Sequence, residues 1–289
     1  MISFLFKILG HLPLRLGYIL ADILAFLARD VVRYRRKVIM QNLRSSFPDK
    51  SAKELNSICR RFYSFLADYF IETIRLGAIS ESEIRRRMTF ENTELIEHLT
   101  EQGHIVALLL GHYGNWEWIS TLTLHLNADI VPSQIYHPLE NADADRAFAR
   151  IRSRFGAENV AMRDTLRYLT SHLQKGETTV TGFIADQSPL YSSTHMWLDF
   201  LNHDTGVYTG PEKIMRRYHG AMVYAHITRP RRGYYHCRFE LICEDTANQP
   251  EFEPTRYYFR LLEQQIREVP HLWLWSHRRW KRPRQNRTV

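Results

Sequence analysis

From residue 88 onward, short apolar runs alternate with stretches of helical spacing, and this alternation constrains the fold more than any other feature. Predicted strands occupy residues 88–91, 105–110, 130–136, 178–184, 221–228 and 234–243. Predicted helices occupy residues 51–76, 93–102, 142–152, 164–174, 210–218 and 255–269. Such an order indicates an α/β fold with a mostly parallel central sheet flanked by helices. In these sheets the chemistry lies at the carboxyl ends of the strands, so we look there for functional residues.

An apolar segment precedes this pattern. Residues 2–28 are mostly apolar, but Lys7, His11, Arg15 and Asp22 interrupt them. No uncharged run approaches the roughly 20 residues that an α-helix needs to span a bilayer. We therefore expect residues 1–45 to form membrane-associated helices that lie in or on one face of a membrane, with residues 46–289 forming a single α/β domain. A buried amphipathic core helix is the alternative.

Both ends of the chain carry basic clusters. The first follows the apolar segment directly and comprises Arg29, Arg33, Arg35, Arg36 and Lys37. The second is a carboxyl-terminal tail, residues 277–284, which has no acid and follows two tryptophans, Trp273 and Trp275, that we interpret as interfacial aromatics. Because basic clusters are attracted to anionic lipid, we predict a peripheral protein on the cytoplasmic face of the inner membrane. For the tail, a solvated or nucleic-acid-binding end is the alternative.

Composition narrows the class of protein. The chain has 39 Lys and Arg against 31 Asp and Glu, a net charge of +8, which favours an anionic partner. Hydrophobic residues make up 44% and charged residues 24%, which excludes intrinsic disorder. The three cysteines lack CxxC spacing, which disfavours a disulfide framework or a structural zinc site and fits a reducing compartment.

The strand predicted at residues 105–110 runs directly into Gly-His-Tyr-Gly-Asn-Trp-Glu, residues 111–117. Gly111 and Gly114 supply the freedom that a turn needs, so His112 can sit on the turn and Glu117 in the helical turn that follows. A carboxylate in that position would orient the imidazole and stabilise its protonated form. We predict His112 as a general base assisted by Glu117. A buried core histidine is the alternative, since 14 histidines place one near an acid by chance.

Two other chemistries lack support at this site. A zincin helix needs a second histidine four residues after the first, but residue 116 is Trp, and no third ligand cluster is evident. No Gly-x-Ser-x-Gly elbow occurs, so a serine nucleophile is unsupported. We expect neither a metal nor a cofactor.

The 111–117 block resembles the H-x4-D/E motif of the glycerolipid and lysophospholipid acyltransferase superfamily. Its Asn-Trp-Glu form resembles the lipid A biosynthesis lauroyl/myristoyl acyltransferase branch in particular. Further blocks match that branch in order: Asn42-Leu43, Phe47-Pro48, Tyr136-His137-Pro138 with Asn141, Arg150-Ile151-Arg152, Met162-Arg163, Ala185-Asp186-Gln187 and the Trp275–Pro283 ending. Two features depart from the branch: His137 stands where Arg is usual, and the loop at residues 188–195 does not match.

The resemblance covers essentially the whole chain, and it implies a glycerol-3-phosphate acyltransferase-like fold and a lipopolysaccharide-related activity. The expected reaction moves a fatty acyl chain from a thioester, usually on acyl carrier protein, to a hydroxyl of a lipid A precursor at a membrane. The resemblance points to Arg150 and Arg163 as residues that contact the oxyanion or a phosphate, and it points less clearly to Arg152. Asp186 is expected to hold an arginine or the acceptor. Gly114 and Asn115 complete the expected substrate contacts.

Two other functions remain open at this stage. The same chemistry can serve a lysophospholipid, an aminolipid or another glycolipid as the acceptor. A basic nucleic-acid-binding module, in which His112 and Glu117 are merely structural, is the reading from a different class. The ordered family blocks favour the enzyme, and we expect no nucleic-acid partner.

Overall fold

The structure is a computed structural model that describes residues 2–281 and residue 284. Its helices are α1 (Ile2–His11), α2 (Leu14–Phe26), α3 (Arg36–Ser46), α4 (Ala52–Leu76), α5 (Glu81–Arg87), α6 (Thr93–Glu101), α7 (Ala142–Arg152), α8 (Thr165–Gln174), α9 (Gly210–Arg217) and α10 (Glu253–Glu268). Its strands are β1 (Met88–Glu91), β2 (Val106–Leu110), β3 (Val131–Tyr136), β4 (Glu158–Ala161), β5 (Thr179–Ile184), β6 (Met196–Asp199), β7 (Asp204–Val207), β8 (Ala221–Arg231) and β9 (Tyr234–Cys243). A π-helical turn (Leu27–Val31) follows α2, and a 3-10 helix (Trp116–Leu124) follows β2.

Seven strands form one sheet in the order β1-β9-β8-β2-β5-β3-β4. Every neighbouring pair is parallel except the β8–β9 hairpin. The predicted α/β fold with a mostly parallel sheet flanked by helices is therefore confirmed. All five residues of β2 are buried, as expected of a central parallel strand covered on both faces.

The predicted elements lie where the sequence pattern placed them, with bounds that differ by a few residues. Three strands were not anticipated, namely β4, β6 and β7, each of four residues. Strand β4 is at the edge of the sheet, and β6 pairs only with β7 in a separate antiparallel hairpin. Such short strands bury few side chains, so they leave little periodic pattern in the sequence.

Helix α4 is the support on which the amino-terminal helices pack. It begins at a capping box in which Ser51 and Glu54 each bond the other's backbone N–H. Small residues of α2 (Gly17, Ala21 and Ala25) lie one helical turn apart and face Ala67 and Ile71 of α4. The opposite side of α2 exposes Leu16, Ile19, Ile23 and Phe26. The predicted amphipathic segment is thus packed along one side, and its division from the rest of the chain at residue 45 stays a prediction.

An ion network fixes α2 and α4 to the β8–β9 hairpin. Asp68 of α4 is buried and accepts hydrogen bonds from Arg229 (2.6 Å) and from Arg232 (2.6 Å). Arg232 also donates to Asp22 of α2 at 2.6 Å. Asp68 and Arg232 together thus join α2, α4 and the hairpin, and the two guanidinium partners of Asp68 satisfy its buried oxygens.

No helix among the described residues is both long and apolar enough to cross a bilayer. The carboxyl-terminal tryptophans differ from the sequence expectation. Trp273 and Trp275 are buried in the main core, so their interpretation as interfacial aromatics is wrong. Arg279 of the basic tail is buried as well, and it donates to the carbonyl of Gly206 at 2.9 Å. Arg282 and Pro283 of that tail lie outside the described residues.

Replacing Asp68 with Ala should lower the free energy of unfolding by about 3 kcal/mol, because it leaves the buried Arg229 without its closest carboxylate. Urea denaturation of the purified protein in detergent measures the change. Asp30→Ala is the matched control, since Asp30 pairs with Arg29 at the surface and its loss should leave the midpoint unchanged. Equal midpoints for the two variants would contradict this role for Asp68.

Candidate active site

The two central strands deliver one histidine and one carboxylate to the same place. Leu110 of β2 lies opposite Ile184 of β5 in the parallel register. Each chain then runs two residues beyond its strand, so His112 and Asp186 meet at the carboxyl edge of the sheet. Nδ1 of His112 lies 2.6 Å from Oδ1 of Asp186.

Asp186 is fully enclosed by hydrogen-bond donors. Its Oδ2 accepts from the backbone N–H of His112 at 3.0 Å and from the indole N–H of Trp273 at 2.8 Å. Burial by itself would raise the pKa of this carboxyl, but the His112 and Trp273 contacts outweigh burial and lower the pKa to about 2. The carboxylate is therefore ionised at neutral pH and can only accept hydrogen bonds.

The ionised carboxylate determines which nitrogen of His112 carries the proton. Because Asp186 can only accept, Nδ1 is the protonated nitrogen and Nε2 keeps its lone pair. The side-chain amide nitrogen of Gln187 lies 3.1 Å from Nε2 and can donate to it. His112 thus has an oriented, basic nitrogen on its free side, and that side lines a cavity.

Glu117 does not bind the imidazole, so the predicted pairing of His112 with Glu117 is wrong; the carboxylate that binds His112 is Asp186. Among the described residues, the partners of Glu117 are Arg152, whose Nε and Nη2 donate at 2.7 Å each, and Tyr69 at 3.4 Å. The bidentate Arg152–Glu117 pair lies at the wall of the cavity. Burial alone would lower the pKa of Arg152, but Glu117 more than offsets this and raises it. Glu117 therefore positions a permanent cation.

The loop that carries His112 is built around two glycines. A Cβ on Gly111 would lie 2.7 Å from the Leu262 side chain of α10, so a larger residue would force that side chain to move. Gly114 adopts φ of +59°, the left-handed region that favours glycine. Its N–H donates to the carbonyl of Leu272 at 3.0 Å, so this N–H is not free for the substrate contact that the resemblance implied.

The carboxyl-terminal segment clamps this loop from the other side. Leu274 donates its N–H to the carbonyl of His112 at 3.1 Å, and Tyr113 forms a β-bridge with Trp273. Trp273 therefore holds both the loop and Asp186. Farther along, Nε2 of His277 accepts from the N–H of Ser188 at 3.4 Å, and burial lowers the pKa of His277 to about 4. A neutral imidazole thus secures the chain just after Gln187.

The cavity beside His112 has a volume of about 780 Å³. His112, Glu117, Arg152 and Gln187 are polar groups on its lining, and much of the remaining wall is apolar. The apolar lining includes Leu108, Leu110, Ile119, Leu122, Ile135, Val180 and Ile184. An apolar chamber with a few polar groups grouped together suits a ligand that has a long hydrocarbon part and one reactive polar end. Within the described residues, no group of three or more His, Cys, Asp or Glu side chains has the arrangement of a metal site.

Three predicted substrate contacts lie away from this chamber. Asn115 is buried behind the loop, where its side chain donates to Glu72 at 2.9 Å and accepts from the N–H of Trp118. Arg150 is exposed on α7, and Arg163 is exposed beside Asp164 at 3.6 Å. None of the three is on the cavity lining. A direct role for the two exposed arginines in substrate contact stays a prediction.

The structure adds residues that sequence reasoning had missed or left in doubt. Gln187 and Trp273 contact the His112–Asp186 pair directly. The arginine on the cavity wall is Arg152, which the resemblance had favoured less than Arg150 and Arg163. A signal for Arg152 existed. It lies four residues after Phe148 on α7, and both guanidinium and ring belong to the buried side of that amphipathic helix.

Comparisons with known proteins indicate the family. Residues 1–282 match the family model described as bacterial lipid A biosynthesis acyltransferase. The chain is similar to the lipid A biosynthesis palmitoleoyltransferase of Escherichia coli (strain K12), with 23% identity over 259 residues, covering 88% of this chain and 81% of that protein. It is equally similar to a lipid A biosynthesis acyltransferase of Shigella flexneri, with the same identity and coverage.

The pKa of Asp186 yields a stability prediction with a definite sign. A carboxyl whose pKa falls from 3.8 in the unfolded chain to about 2 in the folded protein stabilises the fold above pH 4, by roughly 2 kcal/mol. That contribution should be lost as the pH falls from about 4 towards 2. Chemical denaturation of the wild type and Asp186→Asn between pH 3 and 7 measures it as a converging stability difference. A difference that stays constant down to pH 3 would contradict the lowered pKa.

Proposed function

Because this chain belongs to the bacterial lipid A biosynthesis acyltransferase family and is therefore an acyltransferase, we propose that it transfers a fatty acyl chain from a thioester of acyl carrier protein to a hydroxyl of a lipid A precursor. The observation that carries the mechanism is the buried ionised Asp186 bound to Nδ1 of His112 beside an apolar cavity. Membership of the family supports a lipid A-type acceptor; the donor and the catalytic roles are proposals.

His112 acts as the general base. Its Nε2 removes the proton from the acceptor hydroxyl as that oxygen attacks the thioester carbonyl. Asp186 keeps the other nitrogen protonated and stabilises the imidazolium that forms. The tetrahedral intermediate then collapses, the C–S bond breaks, and the imidazolium returns its proton to the departing thiolate. The products are an ester and a free thiol, and no covalent enzyme intermediate is needed because a thioester is already activated.

Two cavity groups can stabilise the negative charge that develops on the thioester oxygen. The amide of Gln187 donates to Nε2 of His112 in the free protein, and an incoming hydroxyl would release it. The guanidinium of Arg152 adds a fixed positive charge, and Glu117, which also accepts a hydrogen bond from Tyr69, holds it in place. Glu117 thus contributes to catalysis through Arg152, as a positioning residue.

The charge of the chain supports an acyl carrier protein as the donor. Acyl carrier proteins are strongly acidic, and this chain has a net charge of +8. Arg150 and Arg163 are exposed on elements that also supply the cavity-lining residues Arg152 and Met162. We assign these two arginines to docking of the donor protein on the surface outside the cavity, and not to contact with the reacting group.

A membrane-facing surface accompanies the site. The exposed apolar residues of α2 and the π-helical turn define this surface: Leu16, Ile19, Ile23, Leu24, Phe26, Leu27, Val31 and Val32. Arg33, Arg35 and Lys37 follow it directly and are exposed. An apolar stripe bordered by cations fits an interfacial helix on an anionic leaflet, and we infer attachment to the cytoplasmic face of the inner membrane.

The assignment of the two carboxylates is tested by kinetics. Asp186→Asn should lower kcat about 10³–10⁴-fold, because an amide neither fixes the tautomer of His112 nor stabilises its charge. Glu117→Ala and Arg152→Ala should each reduce activity, and the double variant should be no worse than either, because both act as one unit. The assay incubates purified protein with acyl carrier thioesters and a tetra-acylated lipid A precursor, and mass spectrometry identifies the product.

His112→Ala with intact circular dichroism is the inactive control. Wild-type turnover by Asp186→Asn, or losses from Glu117→Ala and Arg152→Ala that multiply in the double variant, would contradict the assignment. A lysophospholipid offered in the same assay tests the alternative acceptor, and exclusive transfer to it would reject a lipid A precursor as the substrate.

Membrane attachment through α2 predicts weaker vesicle binding when the apolar stripe is charged. Ile19→Asp should lower the affinity for vesicles with anionic lipid by about tenfold or more, because burying one isoleucine contributes about 1.5–3 kcal/mol. Co-sedimentation at two salt concentrations measures the change. Leu166→Asp is the matched control, because Leu166 is an exposed apolar residue on α8, away from the stripe. Equal loss in both variants would argue against α2 as the membrane-facing element.

A further inference from the structure

A second cavity lies on the far side of Trp116 from the catalytic cavity. Its volume is about 690 Å³, within the range of small-molecule sites, and it runs between the amino-terminal segment and α4. Apolar side chains form most of its lining: Leu24, Ala28, Tyr63, Leu66, Phe70 and Leu274. We call this cavity the α2–α4 groove.

The inner end of the groove is one aromatic ring away from the catalytic histidine. Trp116 lines both the groove and the catalytic cavity. Its ring lies 5.1 Å, edge to face, from the ring of His112, and it stacks on Tyr69 at 4.0 Å. Trp116 is thus the shared wall, with Tyr69 stacked on it on the groove side, and one indole ring separates the inner end of the groove from His112.

The outer end of the groove joins the membrane-facing surface. Leu24 belongs both to the groove lining and to the exposed apolar stripe of α2, and Phe70 of α4 is likewise exposed. Leu24 therefore gives the groove an apolar edge that is also part of the membrane-facing surface. Arg35 also lines the groove, and its Nη1 donates to the carbonyl of Ser276 at 3.0 Å. A cation held at this point suits an anionic headgroup.

We propose that the α2–α4 groove binds one acyl chain of the lipid acceptor, while the catalytic cavity takes the acyl chain of the donor. This assignment rests on the proposed acyltransferase function. Two separate apolar compartments on either side of Trp116 match a reaction whose two substrates each carry hydrocarbon. The groove is the compartment that opens towards the membrane-facing surface, where a lipid acceptor resides and a carrier-bound donor does not.

Ala28→Trp tests the proposal by filling the groove, and Leu166→Trp is the control. Leu166 is exposed on α8 and lines neither the groove nor the catalytic cavity, so the control adds the same ring at a surface position outside both compartments. Ala28→Trp should raise the KM for the tetra-acylated lipid A precursor at least tenfold. It should leave kcat and the acceptor-free hydrolysis of the donor thioester within twofold. Leu166→Trp should change none of these values.

A binding measurement keeps the test independent of turnover and of the folding of one variant. A lipid A precursor with a diazirine in one acyl chain should cross-link to Leu66 or Phe70 of the wild type, and Ala28→Trp should abolish that cross-link. Phe70→Ser, a change at an exposed position, should also raise the acceptor KM.

The contrary outcomes are distinct. Wild-type acceptor KM in Ala28→Trp together with cross-links confined to the catalytic cavity would overturn the proposal. A parallel loss of donor hydrolysis would assign the groove to the donor chain and overturn it too. Failure of the wild type to hydrolyse or transfer any thioester would instead reject the proposed function from which the inference starts.

Discussion

The parallel register between β2 and β5 is the constraint on which the site depends. Leu110 and Ile184 are paired across the two strands. His112 and Asp186 each lie two residues beyond this pair, so they reach the same point at the edge of the sheet. A shift by one residue would turn the side chains of one strand to the other face of the sheet. Asp186 would then no longer reach the imidazole, and the basic nitrogen of His112 would lose its orientation. The packing that fixes the register of the two central strands therefore also fixes the contact between His112 and Asp186.

His112 and the returning end of the chain together keep a buried carboxylate ionised at this point. Burial opposes the ionised form of Asp186, and the indole of Trp273 supplies one of the hydrogen bonds that reverse the balance. The segment from Leu272 to Leu274 also fixes the backbone on both sides of His112. Asn42 of α3 then secures the following residues by donating to the carbonyls of Trp275 and His277. The candidate site is completed by residues that lie 158 to 162 positions after the loop residues that they contact.

These long-range relations explain what the sequence could and could not predict. The strand before His112 and the helices around it follow from local periodicity, and that pattern predicted the sheet. The partner of His112 depends on strand register, which local spacing does not encode, so the nearest acid in the sequence, Glu117, was chosen over Asp186. The same limit applies to Trp273: its composition and position near a basic tail resemble an interfacial aromatic, and only the β-bridge to Tyr113 reveals a core residue. Arg152 was distinguishable from Arg150 by helix face, since the two lie about 200° apart around α7.

The catalytic loop and the membrane-facing helix are joined through one buried carboxylate. Glu72 of α4 accepts from the hydroxyl of Tyr18 on α2 at 2.9 Å and from the side chain of Asn115 at 2.9 Å. Burial raises the pKa of Glu72, and the nearby Arg229 opposes that effect. Because Asn115 caps the 3-10 helix that carries Trp116 and Glu117, a fixed α2 also fixes the wall of both cavities. Hydrogen bonds through Glu72 therefore connect α2 to the loop that carries His112. Under the membrane attachment that we propose, a lipid acceptor approaching along α2 would follow a helix that is hydrogen-bonded to the wall of both cavities.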